Sequence, residues 1–157
     1  MKQVALDIGV MVGPSLTNFH PGHNAAALSH LELWMAGRTR SPVPTYLWGD
    51  QGSGKTHLLK AVAHHIEQQG AFVGWMDKTT TQPDAFNPNW EVLLLDDVQQ
   101  FSAIQQHMAF NWFVNATTPG AGRQPWVLAA NCLPPTPKAG VTCFNCICWT
   151  MPSAVRC

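Results

Sequence analysis

Charged residues are scarce in this chain. Only 11% of its 157 residues are Asp, Glu, Lys or Arg, and nine acidic and nine basic side chains cancel to a formal net charge of zero. A protein without a basic excess is not drawn to nucleic acid or to an anionic membrane by its overall field. We therefore expect no direct sequence-specific DNA binding and no membrane association.

Long apolar runs are also missing. The apolar residues near the N-terminus are interrupted by Asp7, Gly13 and Pro14 before they reach the length of a signal peptide or a membrane span. Five cysteines are present, but Cys132 stands apart and the others crowd the C-terminal end, which is not the spacing of a disulfide framework. These features predict a cytoplasmic protein with one main domain.

Apolar patterns of helix and strand length alternate along most of the chain. Helical spacing and strand-like runs are found, in chain order, at Asn24–Gly37 (helix), Thr45–Trp48 (strand), Thr56–Gln69 (helix), Ala71–Met76 (strand), Glu91–Val98 (strand), Phe101–Thr117 (helix) and Pro125–Asn131 (strand). The unbroken Val-Leu-Leu-Leu core of the third strand indicates burial on both faces. The alternation predicts an α/β fold in which a parallel sheet is flanked by helices.

A phosphate-binding pattern lies between the first predicted strand and the second predicted helix. Gly49–Thr56 reads Gly-Asp-Gln-Gly-Ser-Gly-Lys-Thr and fits G-x-x-x-x-G-K-[ST] in full. Its glycines allow successive N–H groups to point at phosphate oxygens. Lys55 is expected to reach the β- and γ-phosphates, and the Thr56 hydroxyl to join the Mg²⁺ shell. The predicted nucleotide-binding residues of this P-loop are Gly49, Gly52, Ser53, Gly54, Lys55 and Thr56.

Two adjacent carboxylates lie at the C-terminal end of the buried third strand. Asp96 is expected to hold Mg²⁺ with Thr56, and Asp97 to orient or deprotonate the attacking water. Asn131 ends the fourth strand, and two interpretations are open for it. Its amide either lies near the γ-phosphate or lytic water, or it forms the turn before Pro134.

A metal centre built from His or Cys is not favoured. His57 and the adjacent His64 and His65 do not repeat at a ligand spacing, so solvated or packed histidines are expected. The run Cys143-x-x-Cys146-x-Cys148 lacks a second ligand pair at a fitting distance.

Four segments together resemble the AAA+ module of the bacterial replication initiator DnaA and of its short relative Hda, the DnaA regulatory inactivator. They are LTNFHPGHNAAALSHLELW, YLWGDQGSGKTHLLKAVAHH, VLLLDDVQQF and WVLAANCLPP. The resemblance implies ATP or ADP with Mg²⁺ as cofactors, Phe19 bordering the adenine with Asn24 nearby, and Asn131 as the sensor of the fourth strand. Whether the chain itself hydrolyses ATP stays open at this point.

Hda is favoured over an initiator by the ends of the chain. The ATPase pattern begins soon after Met1, and no basic helix-turn-helix is recognised after it. The first residues, with Gln3, Leu6 and Ile8, resemble the Hda peptide that docks on the sliding clamp through a Gln pocket and an apolar pocket. The resemblance thus implies a regulator that promotes hydrolysis of DnaA-bound ATP, with DnaA and the sliding clamp of DNA polymerase III as partners. The alternative is a fragment of a DnaA-like initiator or helicase loader.

The family pattern stops at Pro134-Pro135. The following segment is rich in cysteine, has no acidic residue after Lys138 and shows no regular period. It reads as a disordered end or as out-of-frame translation, and its composition favours the latter. The family's arginine finger, fifth strand and helical lid are not recognised there, which implies an exposed edge at Thr45–Trp48 and an aggregation-prone chain. The expected organisation is a clamp-binding peptide at 1–12, a partial AAA+ domain at 13–136 and an aberrant tail at 137–157.

Overall fold

Helices and parallel strands alternate in the fold. The computed structural model describes residues 13–22, 25–36, 44–118, 125–131 and 145–149. The described helices are α1 (Ala25–Ala36), α2 (Lys55–Gln68) and α3 (Ala103–Thr117), with a 3₁₀ turn at Val98–Gln100. The described strands are β1 (Thr45–Gly49), β2 (Phe72–Met76), β3 (Trp90–Leu95), β4 (Trp126–Asn131) and β5 (Asn145–Trp149). The predicted α/β fold with a parallel sheet flanked by helices is confirmed.

The sheet has the strand order β2-β3-β4-β1-β5, and each neighbouring pair is parallel. Because all five strands run the same way, their carboxyl ends meet at one edge of the sheet, which is where ligands bind in open α/β folds. The loop after β1 and the carboxylates after β3 both lie at this edge. Strand β3 ends at Leu95 rather than at Val98 as expected, so Asp96 and Asp97 lie just beyond it.

Two apolar clusters hold the helices on opposite faces of the sheet. Alternate residues of β3 serve both, since Val92 and Leu94 belong to one cluster and Leu93 and Leu95 to the other. The first cluster also includes residues of α1 and α2, and the second includes Trp112 and Ala116 of α3. Double-sided burial therefore explains the uninterrupted apolar run of β3.

Helix α3 is fixed to the loop after β2 by a buried glutamine. Ser102 and Gln105 form a capping box in which each side chain bonds the backbone N–H of the other. The Gln105 Nε2 also donates to the carbonyls of Asp77 and Thr80, both at 2.8 Å. This network ties the start of α3 to the segment that lies beside the carboxylates after β3.

Strand β5 corrects one prediction from the sequence. The expected loss of the C-terminal strand is wrong, since Asn145–Trp149 pairs with β1 along its whole length, within the segment interpreted as an aberrant tail. The expected exposed edge at Thr45–Trp48 is wrong for the same reason, and with it the stated cause of aggregation. The run lies in a segment without a recognised apolar period, and the backbone N–H and C=O groups at the edge of β1 provide the partners that make it a strand.

Some predictions fall on residues outside the described ranges. These are the clamp-binding residues Gln3, Leu6 and Ile8, the adenine neighbour Asn24, and the absence of a lid after β4. In the part of the chain that is described, no helix has the length and apolarity needed to cross a membrane.

Candidate functional site

The P-loop turns sharply between β1 and α2. Gly52 and Gly54 have φ angles of +78° and +94°, a region that residues with a Cβ avoid. Ser53 N donates to the Asp50 carbonyl at 3.2 Å, which closes the turn. Gly54 is the N-cap of α2 and brings no capping side chain, so the first N–H groups of the helix have no side-chain acceptor at that position. Such a helix start is suited to phosphate oxygens.

The Lys55 ammonium is enclosed by its own loop. Its Nζ donates to the carbonyls of Gly49 at 2.9 Å and Asp50 at 2.7 Å, and to Ser53 Oγ at 3.3 Å. The residue is only 5% exposed. Loop and cation therefore form one unit, in which the positive charge lies at the centre of the curled backbone where anionic oxygens would bind.

Asp96 lies beside the first turn of α2. Its carboxyl is 4% exposed and accepts a hydrogen bond from the Thr56 side chain. Burial raises the pKa of Asp96, and the Thr56 hydrogen bond only partly opposes this effect. Among the described residues, nothing bonds to its buried Oδ1. A buried oxygen without a partner next to a hydroxyl is a set of hard donors that suits Mg²⁺, so Thr56 and Asp96 fit the predicted metal site.

Asp97 is held by two side chains that the sequence did not indicate. Its Oδ2 lies 3.0 Å from Lys78 Nζ, and its Oδ1 accepts from Gln99 Nε2 at 3.3 Å. The Asp97 hydrogen bond and charge raise the pKa of Lys78, which keeps it cationic. Asp97 also has φ +53°, a left-handed conformation that Asp tolerates better than most residues. The two adjacent carboxylates thus have different partners.

Phe19 lies against the P-loop. A Cβ added at Gly54 would come within 2.6 Å of Phe19 Cε2, and the Phe19 and His57 ring centroids are 5.5 Å apart. The sequence predicts a solvated or packed His57. In the structure its Nε2 also lies 3.2 Å from the Ser15 carbonyl and 3.0 Å from Asn18 Oδ1. The one feature of the sequence that points to these contacts is the position of His57 directly after the P-loop.

Asn131 lies at the same edge of the sheet. It pairs in register with Trp48, the residue before Gly49, so the backbone topology places it next to the P-loop. Its side chain lies outside what the structure describes. The structure thus brings together Phe19, the P-loop, Asp96 and Asp97, with the Asn131 backbone beside them, while the roles of these residues stay predictions. Among the described residues, no group of three or more His, Cys, Asp or Glu side chains is placed to hold a metal ion.

Known proteins are similar to this chain in sequence or in fold. A relative from Haemophilus influenzae, an uncharacterized protein, is 34% identical over 103 residues, which are 62% of this chain and 44% of that protein. The AMPPCP-bound DnaA of Aquifex aeolicus superposes with a TM-score of 0.65 at 21% identity, over 87% of this chain and 49% of that one. A replication initiator DnaA bound to AMPPCP and single-stranded DNA gives 0.61 at 22% identity, over 82% and 44%.

This chain spans about half the length of these relatives or less, and the two structural matches establish a shared fold. The family model of the bacterial DnaA ATPase domain matches residues 16–128, which include Phe19, the P-loop, both carboxylates and the first half of β4. The chain therefore belongs to the family of bacterial DnaA ATPase domains.

Proposed function

We propose that this chain binds ATP or ADP with Mg²⁺ and acts in the control of replication initiation as an Hda-like regulator of DnaA. The observation that supports nucleotide binding most strongly is the juxtaposition of the Lys55 loop with the Thr56–Asp96 pair. The loop offers N–H groups and a cation to the phosphates. Asp96 offers an unpaired oxygen to the metal.

Magnesium would supply charge neutralisation between the phosphates and Asp96 when bound. The chain's own contribution is to hold the oxygens of Thr56 and Asp96 together beneath the loop. Lys55 would exchange its bonds to the loop carbonyls for bonds to phosphate oxygens. Asp97 is proposed to orient the attacking water, with Asn131 beside the γ-phosphate.

Slow hydrolysis is the expected behaviour of the isolated chain. Both carboxylate oxygens of Asp97 are engaged, one by Lys78 and one by Gln99. Each oxygen keeps a further lone pair for a water, but the contacts with Lys78 and Gln99 restrict where that water can lie. Membership of the family does not fix the rate at which this chain hydrolyses ATP. We therefore propose that its main property is nucleotide binding and not hydrolysis.

The regulatory role rests on the family relation and on the N-terminal peptide. The match to the DnaA ATPase domain supports a function in replication initiation. The peptide with Gln3, Leu6 and Ile8 supports docking on the sliding clamp, where a cytoplasmic regulator would meet DnaA. The arginine that would act on DnaA-bound ATP is not identified in this chain, so we expect clamp binding without strong stimulation of DnaA.

A clamp pull-down tests the regulatory part of the proposal. The chain with Gln3→Ala and Leu6→Ala should lose clamp association and keep its nucleotide affinity, because the peptide precedes the segment 16–128 that matches the ATPase domain. A matched control replaces Lys2 and Val4, which have no assigned pocket. Undiminished capture of the double variant would exclude this docking mode, and tight binding of single-stranded DNA by the wild type would favour the initiator or loader alternative.

A further inference from the structure

The turn formed by residues 15–19 is fixed by its own hydrogen bonds. Asn18 Oδ1 accepts from Ser15 N at 3.0 Å, and Asn18 N donates to Ser15 Oγ at 3.2 Å. Asn18 Nδ2 donates to the Gly13 carbonyl at 3.0 Å, and Phe19 N donates to the Leu16 carbonyl at 3.3 Å. The turn therefore presents two oxygens in a defined direction, the Ser15 carbonyl and Asn18 Oδ1.

His57 is the residue of α2 that meets both oxygens. Its Nε2 lies 3.2 Å from the Ser15 carbonyl and 3.0 Å from Asn18 Oδ1. The Asn18 amide cannot be flipped without losing its bonds from Ser15 N and to the Gly13 carbonyl, so the atom that faces His57 is the acceptor. Two acceptors around one ring nitrogen require that Nε2 carries the proton. His57 thus donates to the turn across 39 and 42 positions of sequence.

The hydrogen bonds of His57 hold the turn from which Phe19 packs against the P-loop. The Phe19 ring lies 5.5 Å from the His57 ring, centroid to centroid, and close against Gly54. Leu16 and Phe19 also pack on the apolar cluster between α2 and the sheet. His57 adds two polar contacts between α2 and the turn to this apolar packing.

We propose that His57 is a positioning residue for the nucleoside part of the ligand, which it serves by holding the 15–19 turn and Phe19 beside the P-loop. The inference rests on the proposed nucleotide binding. Without the His57 hydrogen bonds, ligand binding must itself order the turn on α2. The conformational entropy that is lost in this ordering lowers the affinity for the ligand. The phosphates contact the loop and Lys55, whose bonds do not involve His57, so their binding is separate from this effect.

Calorimetry with two ligands separates the two parts of the site. ATP and inorganic tripolyphosphate, each with Mg²⁺, are titrated into the wild type, His57→Ala, His57→Gln and the control His64→Ala. His64 is an exposed residue of the same helix that bonds only Gln68 among the described partners. We expect His57→Ala to bind ATP about three- to tenfold more weakly, the loss of one or two hydrogen bonds, and to bind tripolyphosphate as the wild type does.

His57→Gln keeps an N–H donor and should regain part of the ATP affinity, while His64→Ala should bind both ligands normally. An equal loss of ATP and tripolyphosphate affinity in His57→Ala, or no loss of either, would overturn the positioning role. A wild type that binds neither ligand would overturn nucleotide binding itself, and this inference with it. Nitrogen-15 NMR of the wild type offers an independent check, since the His57 ring must be the Nε2–H tautomer, and an Nδ1–H tautomer would contradict the proposed donor.

Discussion

Alanine substitutions at three glycines should separate backbone strain from the contact between Phe19 and the P-loop. Gly54 has φ +94°, and a Cβ there would lie 2.6 Å from Phe19 Cε2. Gly70 has φ +75°, but no atom lies within 4 Å of a Cβ built there. Gly13 has neither a left-handed φ nor an atom within 4 Å of such a Cβ. The left-handed conformation costs an alanine about 1–2 kcal/mol. The Phe19 ring must also move by about 1 Å to reach a normal separation, and overpacking of this kind costs about 1–3 kcal/mol.

Urea denaturation of each variant measures these free energies of unfolding. We expect losses of about 2–5 kcal/mol for Gly54→Ala and about 1–2 kcal/mol for Gly70→Ala, and a change within about 0.5 kcal/mol for Gly13→Ala. In a Phe19→Ala background, Gly54→Ala should lower the free energy of unfolding only as much as Gly70→Ala does. Equal costs of Gly54→Ala in both backgrounds, within about 0.5 kcal/mol, would show that Phe19 does not lie on the loop.

Two further variants test the buried polar groups around the site. The raised pKa of Asp96 means that its contribution to stability is fully present below the ordinary value of 3.8 and is lost as pH rises through the folded-state pKa. Asp96→Asn should therefore stabilise the ligand-free protein at neutral pH and flatten the dependence of its free energy of unfolding on pH above pH 3.8. The same substitution should weaken Mg²⁺-dependent ATP binding. A pH dependence that is unchanged in urea titrations would contradict the burial of this charge. Gln105→Ala removes three hydrogen bonds of 2.8 Å, two to the half-buried carbonyls of Asp77 and Thr80 and one from Ser102 N, and should cost about 2–3 kcal/mol in the same assay. The neighbouring control Gln106→Ala, an exposed residue with one such bond, should cost less than about 1 kcal/mol, and equal costs would refute the bridging role of Gln105.

The P-loop and the β3 carboxylates were predictable because their signals are local. Glycine spacing dictates the turn, Lys55 and Thr56 follow within the same eight residues, and an apolar run followed by two Asp residues marks a strand end. Their meeting at one edge followed from the rule for parallel sheets. The fold class was predictable for the same reason, since the helices and the first four strands each show their own apolar pattern.

Contacts between distant segments were not predictable. Lys78 meets Asp97, and His57 meets Asn18, only because the sheet order brings their loops together. Strand β5 was missed because its five residues acquire strand structure from β1, about a hundred positions earlier in the chain. The residues Asn145–Trp149 alone, without an available sheet edge, do not predict a strand.

Nucleotide binding by the wild type and by Lys55→Ala tests the central claim most directly. Lys55 brings the buried cation to the loop, and its replacement removes the charge that faces the phosphates. Calorimetry with ATP and ADP in the presence of Mg²⁺ should show saturable binding by the wild type, by the control Lys60→Ala on the same helix, and by Asp97→Asn, with loss of binding in Lys55→Ala. Equal affinities of wild type and Lys55→Ala for both nucleotides would contradict the assignment of Gly49–Thr56 as the phosphate-binding loop.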